Sequence, residues 1–322
     1  MATGVTASAS AASLSGAGST LVAPLEALWN QGFASTGNSV SYAAVGSGTG
    51  ITDITSGLVD FGASDAPLSA AQQAACASCV QIPWALSATA VGFHLNGVST
   101  LKLTGKVLAE IYLGQITTWN NKQIKNLNKK VHLPGRKITV IFRSDGSGDT
   151  YAFTNYLSHV SGAWTSKVGP AATTVGFPTG IGGKGNSGVT AILANTNGGI
   201  AYVAASYLIQ QGGLGAVAMQ NAAGNYEFPN LKNISSAAAA FPSVPANNAV
   251  SIVNPPRSAK IAYPISTYTY VIVPKNTAKA SLLKSWISYA LTTGQAFGAK
   301  LDFAPIPSSI LTAANNTLNS LT

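Results

Sequence analysis

What most limits how this chain can fold is a unit that recurs: a short strand, a tight Gly/Ser turn, and a helix starting directly behind the turn. GAGST (16–20) follows a short strand and opens a segment in which Leu21, Leu25, Leu28, Trp29 and Phe33 recur at helical spacing. SVSYAAV (39–45) alternates as a strand does, GSGTG follows, and Ile51, Ile54 and Leu58 mark the next helix. Far downstream the strand KITVIF (137–142) runs into RSDGSGDT, then into a helix with Phe153, Tyr156, Leu157 and Val160 on one face. Alternation of strands and helices predicts an α/β architecture with mainly parallel sheets.

The remaining segments extend the pattern. Residues 60–64 form a short strand stopped by SDAP, which puts Asp65 at a strand's carboxyl end, where ligands of open α/β sheets collect. TGKVLAEIYLGQI predicts a helix with Val107, Leu108, Ile111 and Tyr112 inward; a helix near 186–195 starts after GGKGN and precedes the strand GIAYVA (199–204). The Ala-, Asn- and Gly-rich stretch 206–260 reads as irregular structure capping that part of the molecule. YPISTYTYVIVP (263–274) reads as a strand and SLLKSWISYALTTG (281–294) as an amphipathic helix, so the chain is expected to cross back at its end. At 322 residues it is long enough for two lobes, since single cores stop growing near this size. The expected division is 13–93 with 265–322, and 94–264.

The three turns share a chemistry. Glycines let backbone N–H groups approach a ligand, hydroxyls add donors, and a helix N-terminus carries partial positive charge. One such turn is commonly only a helix cap; three in one chain suggest an anion site. Charge is scarce at 8% of residues, and of three arginines Arg143 sits inside the third turn with Asp145 and Asp149 behind it. Arg143 can grip an oxyanion, and Asp145 is placed to orient its guanidinium. Asp65 and Asp149 would repel an anion unless it offers a proton, as phosphate does at neutral pH and sulfate does not. A serine nucleophile at Ser147 would need a base, and His159 lies about three helical turns away.

Cys76 and Cys79 are spaced C-x-x-C at the end of an Ala/Gln-rich helical stretch. A zinc site would need two further ligands that the three histidines do not supply at suitable spacing, and a redox pair would begin a helix after a strand. A local disulfide in an oxidising, extracytoplasmic setting is the better expectation, with no metal and no cofactor. The basic residues Lys122, Lys125, Lys129, Lys130, Arg136 and Lys137 lack interleaved aromatics, so a solvated face is expected there and no nucleic-acid partner. No apolar run of membrane-spanning length occurs, and a soluble chain is expected; residues 1–12 read as a flexible stub left after removal of a signal or lipid-anchor segment.

SLSGAGSTLVAPL, GSGTG, DFGASDAPL, IYLGQITTWNN, RSDGSGDT and GGKGNSGV, in this order, closely resemble the phosphate-binding protein (PstS) family of high-affinity phosphate ABC transporters, from about residue 13 to about 310. The resemblance implies a type II periplasmic-binding-protein fold, two α/β lobes joined by a two-strand hinge and closing over one phosphate. It implies contacts from Thr20, the Leu21 amide, Ser47 and Asp65 on one lobe, and from Arg143, Ser147, Gly148 and Asp149 on the other, with Asp145 orienting Arg143. Asp149 stands where many members have Thr, and would add a second proton acceptor. The implied function is capture of inorganic phosphate outside the membrane by a monomer that delivers it to a permease, without catalysis. The alternatives are a phosphomonoesterase-like enzyme using Ser147, or a receptor for a related oxyanion such as arsenate.

Overall fold

The computed structural model describes residues 12–322, so the expected N-terminal stub lies outside the described residues apart from Ala12. The described strands are β1 (Ser13–Gly18), β2 (Ser39–Ala43), β3 (Phe61–Ser64), β4 (Cys79–His94), β5 (Leu101–Leu103), β6 (Thr139–Arg143), β7 (Ile181–Gly183), β8 (Gly199–Ala204), β9 (Gly215–Gln220), β10 (Tyr226–Glu227) and β11 (Ser266–Pro274). They pair in the order β2-β1-β3-β11-β4-β8-β6-β7, with β9 on β4 and carrying β5 and β10.

The 16-residue strand β4 joins the two halves of this sheet. Cys79–Ala88 pairs with β11 in one half, and Thr89–His94 pairs with β8 in the other. The second crossing lies beside the first: the Thr89 N–H donates to the Ile265 carbonyl at 3.0 Å, just before β11 begins. Two α/β halves joined by two adjacent strands result. Within β4, Pro83 has no amide proton to offer β11, and the register slips there, with Thr269 opposite Ala85 and Tyr270 opposite Pro83.

Each half packs around aromatic rings. In one, Trp29, Trp84 and Trp286 meet edge-on with centroids 5.1–6.5 Å apart. Trp29 comes from the helix Ala23–Phe33, whose buried face carries Leu25, Trp29 and Phe33 at the expected spacing, and Pro24 sits in the first turn where its missing N–H is harmless. In the other half, Phe153 lies 4.6 Å from Tyr112 and 4.4 Å from Tyr202.

Three expectations are corrected. The sheet is mixed: β1-β2, β1-β3, β5-β9, β6-β7 and β6-β8 are parallel, but every pairing of β4 and β11 is antiparallel, because the chain enters each half by a crossing strand and not by a helical crossover. Residues 206–260 are not irregular throughout; they contain β9, β10 and the helix Leu231–Ala239, whose buried Ile234, Ala237 and Ala238 form an apolar face hidden by the Ala-rich composition. Leu58 is 71% exposed in the turn after the helix Ser47–Thr55, which has already ended. Among the described residues no helix is long and apolar enough to cross a membrane. The six basic residues between 122 and 137 are all exposed.

Candidate functional site

The three Gly/Ser turns converge. β1 and β2 are paired in one half, β6 lies in the other, and the turns at their carboxyl ends face each other across the junction of the halves. Close approach of the two backbones demands glycine here. The Gly48 N–H donates to the Gly146 carbonyl at 2.9 Å across the junction, and a Cβ on Gly148 would lie 2.7 Å from the Cα of Asp65.

Arg143, at the end of β6, is 5% exposed. Its Nε and Nη2 donate to the two oxygens of Asp145 at 2.8 and 2.6 Å, and its Nη1 donates to Asp149 Oδ2 at 3.1 Å. A guanidinium has five N–H donors, so two remain for another acceptor. Tyr202 fixes the strand end by accepting from the Arg143 amide at 3.0 Å. The other half contributes Asp65, just beyond β3. Its Oδ1 accepts from Ser19 Oγ at 2.5 Å and Thr269 Oγ1 at 2.9 Å, and its Oδ2 accepts from Ser47 Oγ at 3.3 Å. Ser47 Oγ in turn accepts from the Gly148 N–H at 3.1 Å, which ties the halves together. Thr20 Oγ1 accepts from the Asn186 backbone N–H at 3.2 Å and from Asn186 Nδ2 at 2.9 Å. Thr20, Ser47, Asp65, Arg143, Ser147, Gly148 and Asp149 thus line one buried junction, with Asp145 behind Arg143.

The model of the PBP superfamily domain matches residues 4–293. The phosphate-binding protein PstS of Xylella fastidiosa is 36% identical over 304 residues, which are 92% of this chain and 82% of that protein. The chain belongs to the PstS family. Among solved structures, a high-affinity periplasmic phosphate-binding protein (PfluDING) bound with phosphate is 22% identical with a TM-score of 0.75, over 94% of this chain and 93% of that one. The phosphate-binding protein of Stenotrophomonas maltophilia is 19% identical with a TM-score of 0.70, over 95% and 94%. At these identities the structures establish the fold that the family shares.

The electrostatics of this PstS-family junction are uneven. Burial, reinforced by the charge of Asp149, raises Asp65 to about 7 despite the hydroxyls it accepts from. Burial also raises Asp149, against the opposing pull of Arg143, Thr89 and Asn186. Asp145 goes the other way: burial works to raise it, but the hydrogen bonds and charge of Arg143 prevail and lower it. Burial likewise opposes the charge on Arg143, and the contacts with Asp145 and Asp149 overcome it and raise its value. One permanent cation therefore faces three carboxylates of which Asp65 gives up its proton only near neutrality.

Some of these groups already have partners within the protein. The Leu21 N–H donates to Ser19 Oγ at 3.0 Å, the hydroxyl two residues back closing the turn, and the Leu21 side chain is in the core. The Asp149 carboxylate accepts three hydrogen bonds, from Thr89 Oγ1 at 2.7 Å on one oxygen, and from Arg143 Nη1 and Asn186 Nδ2 at 3.1 and 2.7 Å on the other. Ser147 caps the helix Gly148–Val160 by accepting from the Thr150 N–H at 3.3 Å. Cys76, half-buried, and Cys79, buried, are joined as a disulfide. Among the described residues no cluster of His, Cys, Asp and Glu suits a metal ion.

Sequence reasoning missed Ser19, Thr89, Asn186, Tyr202 and Thr269. Ser19 and Asn186 stand inside the quoted turns GAGST and GGKGN and could have been named from them. Thr89, Tyr202 and Thr269 come from strand interiors with no local signature, and only the pairing of β4, β8 and β11 brings them here.

Proposed function

We propose that this protein is an extracytoplasmic solute-binding protein that captures inorganic phosphate at the junction of its halves and delivers it to the permease of an ABC transporter. The observation that carries the reading is the state of Arg143: its Asp145-facing edge is fully used, two N–H donors remain, and Thr20, Ser47 and Asp65 of the opposite half stand in the same hydrogen-bonded cluster. Such a cluster suits a small anion that accepts several hydrogen bonds and donates one. Phosphate carries a proton that the Asp65 carboxylate can accept; sulfate at the same place would set two anionic acceptors against each other. The names of the relatives support the same ligand.

In this reading the Ser47 hydroxyl and the Gly148 amide exchange their bonds to Asp65 and Ser47 for phosphate oxygens, Thr20 and Ser147 donate their hydroxyl protons, Arg143 neutralises the anion, and Asp65 identifies its proton. The carboxylate of Asp149 acts as a second counter-ion of Arg143, while its position in the first turn of the helix keeps its backbone near the ligand. Leu21 contributes through packing of the turn. The lobes are 13–93 with 265–322, and 94–264, hinged where β4 and the segment before β11 cross. Export is supported by the disulfide, which belongs to oxidising compartments. The protein works as a monomer and catalyses nothing: the exposed His159 ring, which a Ser147 nucleophile would need as its base, bonds the Asn155 carbonyl at 2.8 Å.

Titration calorimetry with phosphate, sulfate and arsenate tests the reading. Saturable 1:1 binding of phosphate, no binding of sulfate at the same concentration and no turnover of a phosphomonoester are expected. Absence of phosphate binding overturns it.

A further inference from the structure

The GGKGN turn, residues 182–186, ends in Asn186, a residue that bonds groups from both halves of the junction. Asn186 is fully buried at the start of the helix Gly185–Ala194. The Ala204 N–H donates to its Oδ1 at 2.8 Å, which fixes the orientation of the amide: Nδ2 must face the other way. There Nδ2 donates both to Asp149 Oδ2, at 2.7 Å in its own half, and to Thr20 Oγ1, at 2.9 Å in the opposite half. The Asn186 backbone N–H is a second donor to Thr20 Oγ1, at 3.2 Å. The neighbouring Gly185 N–H donates to Asp145 Oδ1 at 3.0 Å, so one turn also braces the partner of Arg143.

A threonine hydroxyl has two lone pairs and one proton. Asn186 supplies donors to both lone pairs of Thr20 Oγ1, which leaves that hydroxyl only its proton to offer. We infer that Asn186 is a positioning residue that latches the two halves together and, by filling the acceptor sites of Thr20, commits the Thr20 hydroxyl to donate toward the bound anion. The geometry makes the closed junction a prerequisite: Thr20 and Asn186 come from different halves, and an open junction would leave the Thr20 hydroxyl free to rotate and to accept from water. The turn therefore couples closure to the polarity of a ligand contact. This rests on the proposed phosphate site.

A double-mutant cycle tests it, with Asn186→Ala and Thr20→Val alone and combined, each titrated with phosphate by calorimetry and melted without phosphate to verify folding. Asn186→Ala should weaken binding strongly in the natural background. In the Thr20→Val background, where no hydroxyl remains to orient, its penalty should shrink by about fivefold or more. An equal penalty in both backgrounds overturns the inference, since a residue that only fills space or braces Asp149 is indifferent to the Thr20 hydroxyl. If Asn186→Ala does not fold, Asn186→Ser, too short to span to Thr20, replaces it in the same cycle with the same two outcomes. Failure of the natural protein to bind phosphate sinks the phosphate reading instead, so the two failures are distinct.

Discussion

Asp145 holds Arg143 by two parallel hydrogen bonds, Nε to Oδ1 at 2.8 Å and Nη2 to Oδ2 at 2.6 Å. This fork fixes the guanidinium plane, so the remaining N–H donors point one way before any ligand arrives, and ordering costs little on binding. Removing the guanidinium should be far worse than loosening it. Arg143→Ala should weaken phosphate binding by roughly 3–5 kcal/mol, as for loss of one partner of a buried charged contact. Asp145→Asn, which keeps shape but loses one charge-assisted acceptor, should lose about 1–2 kcal/mol. Calorimetry on both variants checks the order; equal losses would show that Asp145 does more than orient Arg143.

Asp65 should govern selectivity more than affinity. An amide in its place can donate to a fully deprotonated oxyanion, so Asp65→Asn should narrow the gap between phosphate and sulfate by about two orders of magnitude. Competition titrations measure the ratio. Unchanged discrimination would remove the proton-acceptor role of Asp65.

Phosphate binding should take up protons near neutrality. The junction already holds more carboxylates than cations, and Asp65 titrates at about 7. An incoming anion adds negative charge there; with Asp65 accepting one phosphate proton, a second proton on phosphate itself offsets that charge, so the monobasic anion binds better and affinity falls as pH rises through neutrality. Calorimetry in two buffers of different ionisation enthalpy gives the proton count directly, and a flat affinity profile across neutrality counts against the claim.

Glu26 should make stability fall with pH. It lies on the buried face of the helix Ala23–Phe33, its Oε1 has no hydrogen-bond partner, and burial raises it from 4.5 to about 8 despite a contact with Asn30. A carboxyl whose folded value lies above its unfolded value contributes stability that is complete below 4.5 and lost as pH rises through about 8. Glu26→Gln should therefore match the natural protein in acid and exceed it by a few kcal/mol above pH 8 or so. Denaturant melts at the two extremes decide; a constant offset between the proteins would show that Glu26 keeps its ordinary value.

The α/β class and most element positions were legible because strands and helices bury faces with different periods. The helix behind GAGST is Ala23–Phe33, as its apolar spacing predicts, and the one behind GGKGN is Gly185–Ala194, against the expected 186–195. Strand direction was not legible. β4 and β11 are apolar along most of their length because both faces are covered, and continuous burial looks the same in parallel and antiparallel sheets. At the junction, Arg143 and Asp145 declared themselves as rare charges two residues apart, whereas Thr89 and Thr269 look like any strand threonine.

What the amino-acid order determined alone is local: three Gly/Ser turns at helix starts, an arginine with its own carboxylate partner, and a disulfide across three residues. Each depends on groups within a few residues of one another, where backbone geometry dictates reach. Tertiary structure decided which hydroxyl faces which acceptor: that Ser19 meets Asp65, that Asp149 accepts from Thr89, Arg143 and Asn186, and that Thr20 meets Asn186 across the junction. A hydrogen bond depends on direction over a few tenths of an ångström. Only the packing of two halves about the β4 crossing sets distances that fine between residues up to 166 positions apart.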